Sequence, residues 1–389
     1  MLLPEHAPLV IVGGGPVGAA LALALQDSHA NPLLLEARIA AGPGDDARFL
    51  ALSYGSRLIL ERLGVWNPIE SLATPILHIE VTQRGGLGRT ELEANEVDLP
   101  ALGYVIPYRD LARVLSGALD RSARHLTGVT VTDVRPGRGF AAVECEFDAA
   151  PRLISASLVA IADGGRSLAA MGGLFSPLVR DYRQWAVVAW VCAPRGHDHR
   201  AYERFTPTGP AALLPARDGY SVVITVPEAE SKALTEATDA EFRARLKGIF
   251  GDRAAGLGDC SPRSRFPLSL RYAEAITGER TVLIGNSAQT LHPVAGQGFN
   301  LGLRDAWTLA HAVLAAPASE LGDRSLLARY RANRARDRTA GIVITDSLVR
   351  LFSNDIPWLR SARGLGLAML DFSDVPKRFL MRRMMFGYY

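Results

Sequence analysis

The sequence predicts an α/β (α+β) fold with a Rossmann-like nucleotide-binding domain, an inserted antiparallel β-sheet domain and a helical C-terminus. Two glycine-rich loops, at residues 13–18 and 285–306, lie near opposite ends of the chain, and each follows an apolar run and precedes a helical pattern. Between them, apolar and polar residues alternate within 76–98 and 181–270, which favours strands. We therefore expect both loops in one domain that the β-sheet domain interrupts.

The composition is that of a globular protein and excludes several functions. At 389 residues the chain is long enough for two packed domains, and its formal net charge of +3 is too small to indicate nucleic acid as the main partner. Cys145, Cys192 and Cys260 are odd in number and lack metal-ligand spacing, so we expect no disulfide framework, no metal and a reducing compartment. No signal or membrane-spanning run is visible, which favours a cytoplasmic protein.

The first glycine loop has the setting of a dinucleotide-binding turn. An apolar strand pattern at residues 9–12 precedes Gly13-Gly14-Gly15-Pro16-Val17-Gly18, helix formers follow at residues 19–25, and a second strand pattern at 32–36 ends in an acid. GxGxxG alone is a weak signal. With both strands and the acid in place, it indicates dinucleotide binding.

Each position of this pattern has a physical role. Gly13 permits the tight turn, Gly15 lets a pyrophosphate reach backbone N–H groups, and Gly18 lets the helix pack on the strand. The carboxylate of Glu36 can accept hydrogen bonds from an adenosine ribose.

The residues between the loops carry further helix and strand patterns. The expected helices are 56–63, 108–119 and 236–250, and the expected strands are 129–134, 141–147, 158–162, 186–191, 211–214 and 220–226. Arg48 follows the turn-rich stretch 42–46 and could face a phosphate, although a lone arginine is more often a surface ion-pair partner. The strand ending near 162 leads into an Asp163-Gly164 turn, which alone says little.

The second glycine loop reads GNSAQTLHPVAGQGFNLGLRDA at residues 285–306. It follows an apolar run at 280–284, and apolar spacing predicts a helix that begins near Phe299. At Gly296 and Gly298 the backbone can approach a ligand without a Cβ in the way. The helix N-terminus would offer free N–H groups and the positive end of its dipole to an electron-rich group.

The C-terminal region, residues 326–389, has a helical, apolar and basic pattern. In its last segment Arg and Lys residues outnumber Asp371 and Asp374. Two interpretations stay open: a helix that lies on an anionic membrane surface, or a terminal helix that packs on this protein or a partner.

Three motifs, in order along the chain, carry a resemblance to a known family. They are GGGPVG at 13–18, the Asp-Gly turn at 163–164 and the long motif at 285–306. The sequence resembles the class A flavoprotein aromatic hydroxylases related to para-hydroxybenzoate hydroxylase. Within them it is similar to the ubiquinone-biosynthesis hydroxylases, most of all to members that act on 2-polyprenyl-6-methoxyphenol. The likeness covers nearly the whole chain, including AYERFT at 201–206.

The resemblance implies a fold of the para-hydroxybenzoate hydroxylase type with three regions. An FAD-binding domain is expected at 1–75, 99–180 and 271–325, a β-sheet substrate domain at 76–98 and 181–270, and a helical region at 326–389.

The resemblance also implies non-covalent FAD, with NADH or NADPH as a transient reductant. The implied cofactor site consists of the matched motif positions, from the ADP half to the flavin ring: Gly13, Gly15, Pro16, Val17, Gly18, Glu36, Arg48, Arg109, Asp163, Gly164, Asn286, Pro293, Ala295, Gly296, Gln297, Gly298, Phe299 and Asn300.

The sequence departs from the family pattern at two places. Asn286 replaces the usual Asp, so it can hydrogen-bond a ribityl hydroxyl but brings no charge. Ser167 is followed by Leu168, Ala169 and Ala170 where many relatives have Ser-x-x-Arg, which weakens the match at the turn that handles the nicotinamide.

The implied activity is hydroxylation of a polyprenyl methoxyphenol in ubiquinone biosynthesis. Reduced FAD would react with O2 to give a C4a-hydroperoxide that the phenol ring attacks, so the cofactor carries the chemistry. His292, Pro293 and Tyr220 are the candidates near the ring or substrate, with His292 expected to shape the loop rather than transfer a proton.

The implied partners are the prenylated phenol, O2 and a ubiquinone-biosynthesis complex. The C-terminal pattern adds contact with the inner membrane surface as one of its two open interpretations. Two alternatives remain: an FAD-dependent prenyl-lipid reductase that uses no oxygen, and a non-catalytic prenyl-lipid carrier on the same scaffold.

Overall fold

The fold is described from a computed structural model, which covers residues 3–39, 46, 48–86, 88–119, 124–167, 175–354 and 356–388. The strands are β1 (His6–Val12), β2 (Leu33–Glu36), β3 (Phe49–Ser53), β4 (Thr74–Ile76), β5 (His78–Gln83), β6 (Arg89–Glu93), β7 (Gly103–Pro107), β8 (His125–Thr127), β9 (Thr130–Arg135), β10 (Ala141–Phe147), β11 (Ala150–Ile161), β12 (Pro177–Cys192), β13 (Arg200–Thr206), β14 (Gly209–Ala216), β15 (Gly219–Val226), β16 (Ser264–Ala273), β17 (Thr277–Gly278), β18 (Thr281–Leu283) and β19 (Gln289–Thr290). The helices are α1 (Pro16–Leu25), α2 (Tyr54–Arg62), α3 (Trp66–Glu70), α4 (Tyr108–Leu119), α5 (Glu228–Glu236), α6 (Asp239–Phe250), α7 (Gln297–Leu314), α8 (Arg324–Phe352), α9 (Pro357–Phe372) and α10 (Asp374–Phe386).

A mostly parallel sheet forms the first layer. Its strands run in the order β17-β18-β11-β1-β2-β8, and β10 and β9 extend it as antiparallel neighbours of β11. Residues 9–11 of the central strand β1 are fully buried, as expected for a parallel strand covered on both faces. The predicted α/β fold is confirmed.

The register of this sheet brings the two glycine loops to one edge. Val12 pairs with Leu35 on one side and with Ile161 on the other, and Ile161 pairs with Leu283. The segments that follow these strands therefore leave the sheet side by side, although they lie far apart in the sequence. This is the carboxyl edge, where open α/β sheets bind their ligands.

A second sheet has the order β19-β16-β12-β15-β14-β13-β5-β6. The sheet is antiparallel, as expected, except at one place, where β13 runs parallel to β5. No hairpin joins these two strands, so the chain connection does not fix their relative direction. Strand β13 itself was missed, since charged residues interrupt its apolar pattern at Glu203 and Arg204.

The two faces of the second sheet have different neighbours. One face packs on α5 and α6, where Val222 and Ile224 join Phe242 and Leu246 in a buried cluster. The helix expected over 236–250 is α6, which begins at Asp239 because a capping box between Thr238 and Glu241 sets its start. The preceding helix α5 was not predicted. The other face of the sheet is left to line a cavity.

The C-terminal region is helical, as expected. The arginine-rich and apolar stretches after residue 324 form one continuous helix, α8, and α9 and α10 follow it. Within the described part of the chain, no helix combines the length and the apolar character needed to cross a bilayer. The division of the chain into three regions stays a prediction.

Candidate active site

One cavity of about 1300 Å³ joins all the motifs. Its walls come from the carboxyl edge of the first sheet, the free face of the second sheet and helices α8 to α10. Small-molecule sites commonly measure about 300–1,000 Å³, so this cavity has room for more than one ligand.

The first glycine loop forms a close-packed turn with an open side. Gly13 has φ +105°, and a Cβ added there would lie 2.7 Å from the Cα of Asp163. A Cβ on Gly18 would lie 2.0 Å from the carbonyl oxygen of Gly13, so this glycine is needed for helix packing, as predicted. Gly15 lines the cavity and would meet no atom within 4 Å, and it precedes α1, whose N-terminus has no side-chain cap. Because no side chain caps α1, the N–H groups of its first turn are open to a ligand.

Pro16, Val17 and Glu36 also line the cavity near this turn. The Glu36 Oε2 accepts a hydrogen bond from the Gly14 N–H at 2.7 Å, and its Oε1 accepts one from the Arg38 side chain at 2.8 Å. Burial alone would raise the pKa of Glu36, but these hydrogen bonds and the Arg38 charge outweigh it and lower the pKa. Glu36 is thus an oriented carboxylate with acceptor capacity left for hydroxyl groups.

The Asp163 turn is held by its own carboxylate. Asp163 accepts hydrogen bonds from the N–H groups of Gly165 and Ser167 and from the Ser287 hydroxyl, at 2.7–3.0 Å. The Arg271 guanidinium donates to the carbonyls of Gly164 and Asn286, so it fastens this turn to the second glycine loop. No local pattern identifies Arg271, because its partners are backbone carbonyls distant in the chain. Leu168 to Ala170 lie outside the described residues.

The second glycine loop ends in a helix that starts close to the expected position. Helix α7 begins at Gln297, two residues before the predicted start, and has neither a side-chain cap nor an acid in its first turn. Asn286, Pro293, Gly296, Gln297, Gly298 and Phe299 line the cavity. Gly298 has no atom within 4 Å of an added Cβ, so this helix N-terminus opens onto the cavity. Of Ala295 only the backbone is described, in the short 3₁₀ turn at Val294–Gly296.

Asn300 is not among the cavity-lining residues, although it was expected to help wrap a cofactor ring. Its buried amide accepts hydrogen bonds from the Ser53 N–H at 2.8 Å and the Ser56 hydroxyl at 2.7 Å, and donates to the carbonyls of Ala51 and Gly296. The polar side chain is therefore used to tie α7 to β3 and α2.

The two arginines expected along the cofactor have different positions. Arg48 lines the cavity, pairs with Asp46 at 2.6 Å and lies over the ring of Tyr108. Arg109 is not among the cavity-lining residues; its side chain is half exposed and its nearest described carboxylate is that of Asp110 at 3.9 Å. A helix rotates about 100° per residue, so Tyr108 faces the cavity while Arg109 points away.

His292 and Tyr220 both lie outside the cavity lining, whereas Pro293 belongs to it. The His292 Nδ1 accepts a hydrogen bond from the Val294 N–H at 3.1 Å, and burial lowers the pKa of His292 to about 4. It is a neutral ring whose hydrogen bond holds the loop; its expected role in shaping the loop stays a prediction. Tyr220 packs against α5 and α6 on the far face of the sheet, so it was a wrong candidate; its neighbour Ser221 faces the cavity instead.

A buried charge cluster that was not predicted from the sequence connects the second glycine loop to α8. It consists of Arg304, Asp305, Arg334 and Asp337, all less than 5% exposed. Asp305 accepts hydrogen bonds from the Gly285 N–H at 3.0 Å and from Arg334 at 2.7 Å, and Asp337 pairs with both arginines. The cluster thereby fixes the start of the loop to α8. The RD pair at 304–305 and R-x-x-D at 334–337 were the available signals.

Comparison with known proteins agrees with this geometry. A model of the FAD-binding domain family matches residues 6–343. Ubiquinone hydroxylase UbiL of Rhodospirillum rubrum is 34% identical, over 97% of this chain and 89% of that protein. The 3-demethoxyubiquinol 3-hydroxylase of Escherichia coli is 30% identical, over 96% of this chain and 97% of that protein. The solved structure of p-nitrophenol 4-monooxygenase PnpA from Pseudomonas putida shares the fold, with a TM-score of 0.80, 19% identity and coverage of 99% of this chain and 100% of that chain.

Proposed function

This chain belongs to the family of FAD-binding monooxygenases, and from that membership we propose that it hydroxylates the aromatic ring of a polyprenyl methoxyphenol in ubiquinone biosynthesis. It is an FAD-dependent monooxygenase. The substrate proposal is carried by one observation: the cavity that adjoins both glycine loops continues along an apolar sheet face to the C-terminal helices. We further propose NADH or NADPH as the transient reductant.

The described residues fit FAD. Gly15, Gly164 and Gly298 line the cavity, and an added Cβ at any of them would meet no atom within 4 Å, so the backbone is open to a ligand there. Two uncapped helix N-termini, those of α1 and α7, adjoin the cavity and suit a pyrophosphate and an electron-rich ring. Glu36 would accept hydrogen bonds from ribose hydroxyls, and Asn286 would contact the ribityl chain without adding charge.

The protein's own contribution is orientation, electrostatics and exclusion of water. When bound, FAD supplies the redox chemistry that activates O2. The N-terminus of α7 presents N–H groups and the positive end of its dipole toward the ring site. On the opposite side, Val81, Ala212, Leu214 and Val223 form an apolar wall that can hold an aromatic ring and keep water away.

The far part of the cavity is suited to a prenyl tail. Leu348, Phe352, Leu367, Leu370 and Leu380, from helices α8 to α10, line it. Ile344 and Phe379 both line the cavity and are exposed on the surface, by 39% and 56%. The cavity therefore reaches the surface at the C-terminal helices, where a long tail could leave it.

We also propose that the C-terminal helices contact an anionic membrane surface at this mouth. Next to Phe379, the side chains of Met369, Phe372 and Val375 are 61%, 89% and 80% exposed, an uncommon density of exposed apolar groups. Exposed basic residues accompany them, among them Arg378 and Arg382. An apolar patch with basic neighbours favours a lipid surface over a partner of mixed charge.

The proposed activity is tested by following the oxygen atom. Purified holoprotein, reduced anaerobically with dithionite, is mixed with ¹⁸O₂ and 6-geranyl-2-methoxyphenol, and the products are analysed by mass spectrometry. We expect one ¹⁸O in the ring of the product. A saturated prenyl chain formed without oxygen would indicate a prenyl-lipid reductase, and tight lipid binding without any product would indicate a carrier; either result would refute the hydroxylase proposal.

A further inference from the structure

Glu203 is a carboxyl group in an otherwise apolar part of the cavity wall. It lies on β13, where its Cα pairs with Val81 of β5 on one side and Ala212 of β14 on the other. The same row continues through Val223 of β15 to Val188 of β12. All five residues line the cavity. Across five adjacent strands, the cavity therefore meets four aliphatic side chains and one carboxyl group.

Glu203 differs from the other carboxyl groups that line this cavity. Glu36, Asp163 and Asp337 each accept hydrogen bonds from named donors within 3.0 Å. Among the described residues, Glu203 has neither a hydrogen bond nor an ion pair. Its neighbours Tyr202 and Arg204 have side chains on the opposite face of β13, because successive side chains of a strand alternate. Glu203 is half-buried and lines the cavity, so its carboxyl group is open to a ligand there. A carboxyl group without a protein partner in an apolar wall is unfavourable, which indicates a role in binding a polar ligand.

The position of Glu203 relates it to the second glycine loop. Phe205, two residues further along the same face of β13, packs with Val294 of that loop and with Phe352 of α8, and Val81 packs against the same cluster. Two residues of a strand span about 7 Å. Glu203 thus lies about 7 Å along the strand from Phe205, the residue at which the sheet contacts the second glycine loop.

The chemistry of the proposed reaction needs a polar group there. A phenol ring becomes more electron-rich when its hydroxyl loses a proton. Ser221 and Thr225 on the same sheet face carry only hydroxyl groups, which are far weaker bases than the carboxylate of Glu203. Burial raises the pKa of Glu203 to about 8, closer to that of a phenol than an ordinary carboxyl group is. The ionised form, which predominates above about pH 8, therefore accepts a proton from a phenol less unfavourably.

We propose that Glu203 binds the phenolic hydroxyl of the substrate and accepts its proton during ring hydroxylation. The phenol O–H bond breaks, a carboxyl O–H bond forms on Glu203, and the electron pair stays on the phenolate oxygen. The proton returns to that oxygen when the hydroxylated ring regains its phenol form, so the step is balanced and needs no further reactant. This inference rests on the proposed hydroxylase function.

The test compares Glu203→Gln with wild type in the single-turnover reaction with 6-geranyl-2-methoxyphenol. Gln keeps the shape but accepts no proton, so we expect the hydroxylation rate to fall about 100-fold or more while flavin content is unchanged. Glu91→Gln, on the opposite face of the same sheet and paired with Arg200, is the matched control and should keep the wild-type rate.

Two substrate changes separate a chemical role from a structural one. With the phenol methylated to an ether there is no proton to accept, so wild type and Glu203→Gln should be equally slow. With a nitro-substituted, more acidic phenol, the deficit of the variant should shrink. A Glu203→Gln rate within threefold of wild type, or an equal deficit for all three substrates, would overturn the role of Glu203. Absence of labelled product from wild type would instead refute the function on which it rests.

If Glu203→Gln does not retain flavin, Glu203→Asp replaces it in the same comparison. The shorter acid keeps the proton acceptor, so we expect a partial loss that depends on the phenol in the same way, and equal losses for phenol and ether would again overturn the proposal.

Discussion

Replacing Glu203 by Gln changes stability in a way that depends on pH. The carboxyl group has a pKa of 4.5 in an unfolded chain and about 8 in the native protein, where burial disfavours the charged form. Because the native state holds the proton more tightly, wild-type stability falls as the pH rises above about 4.5, and the loss is complete above the native pKa. An uncharged Gln is not subject to this loss.

The size of the effect follows from the difference between the two pKa values. A change from 4.5 to about 8 corresponds to at most about 5 kcal/mol, and water that enters the cavity reduces it. We therefore expect Glu203→Gln to gain about 2–5 kcal/mol relative to wild type between pH 5 and pH 9.

Urea unfolding of both proteins with excess FAD, followed by circular dichroism at pH 5, 7 and 9, measures this difference. Other titrating groups are common to both proteins and cancel in the comparison. Glu91→Gln, which breaks a partly exposed pair with Arg200, should show no comparable gain. A Glu203→Gln difference that stays constant from pH 5 to pH 9 would show that the carboxyl group is solvated, and the reasoning about its raised pKa would fail.

Three further predictions concern the cofactor site, the core and the surface. Gly15→Ala adds a Cβ in open cavity space, so this variant should fold normally but lose FAD. Gly18→Ala places its Cβ 2.0 Å from a carbonyl oxygen, so this variant should also have a lower melting temperature. Flavin absorbance and thermal unfolding distinguish the two variants. Asp305→Asn removes a charge that pairs with the buried Arg334, so the free energy of unfolding in urea should fall by about 3–5 kcal/mol. A fall of less than about 1 kcal/mol would contradict the argument from the buried pair. Phe372→Asp removes the most exposed aromatic group of the apolar patch and should weaken co-sedimentation with anionic vesicles about tenfold or more without changing turnover of a short-tailed substrate; unchanged sedimentation would count against the membrane contact.

The sequence was sufficient for those parts of the site that follow from local pattern. The strand–GxGxxG–helix unit, the Asp163 turn and the second glycine loop each have a local signature, and parallel strands must bring their carboxyl ends to one edge. It was therefore predictable from the sequence alone that these three motifs line the same cavity.

The remaining parts depend on which strands become neighbours and on which face a side chain lies. Tyr220 was a reasonable candidate by composition, but a shift of one residue along β15 decides between the cavity and the far face. Glu203 could not be singled out for the same reason, since its apolar surroundings come from β5, β14 and β15. Arg271 and Asn300 act through contacts that only the tertiary fold creates.

The end of α10 has a practical consequence for work on this protein. The backbone N–H of Tyr388 donates to Asp337 at 3.0 Å, and Gly387 packs so closely that an added Cβ would lie 2.5 Å from the same carboxylate. Removing α9 and α10 to make purification easier would therefore expose the buried charge cluster to water and loosen the second glycine loop that it holds. Substituting single exposed apolar side chains, such as Phe372 and Val375, is the safer way to obtain a soluble sample.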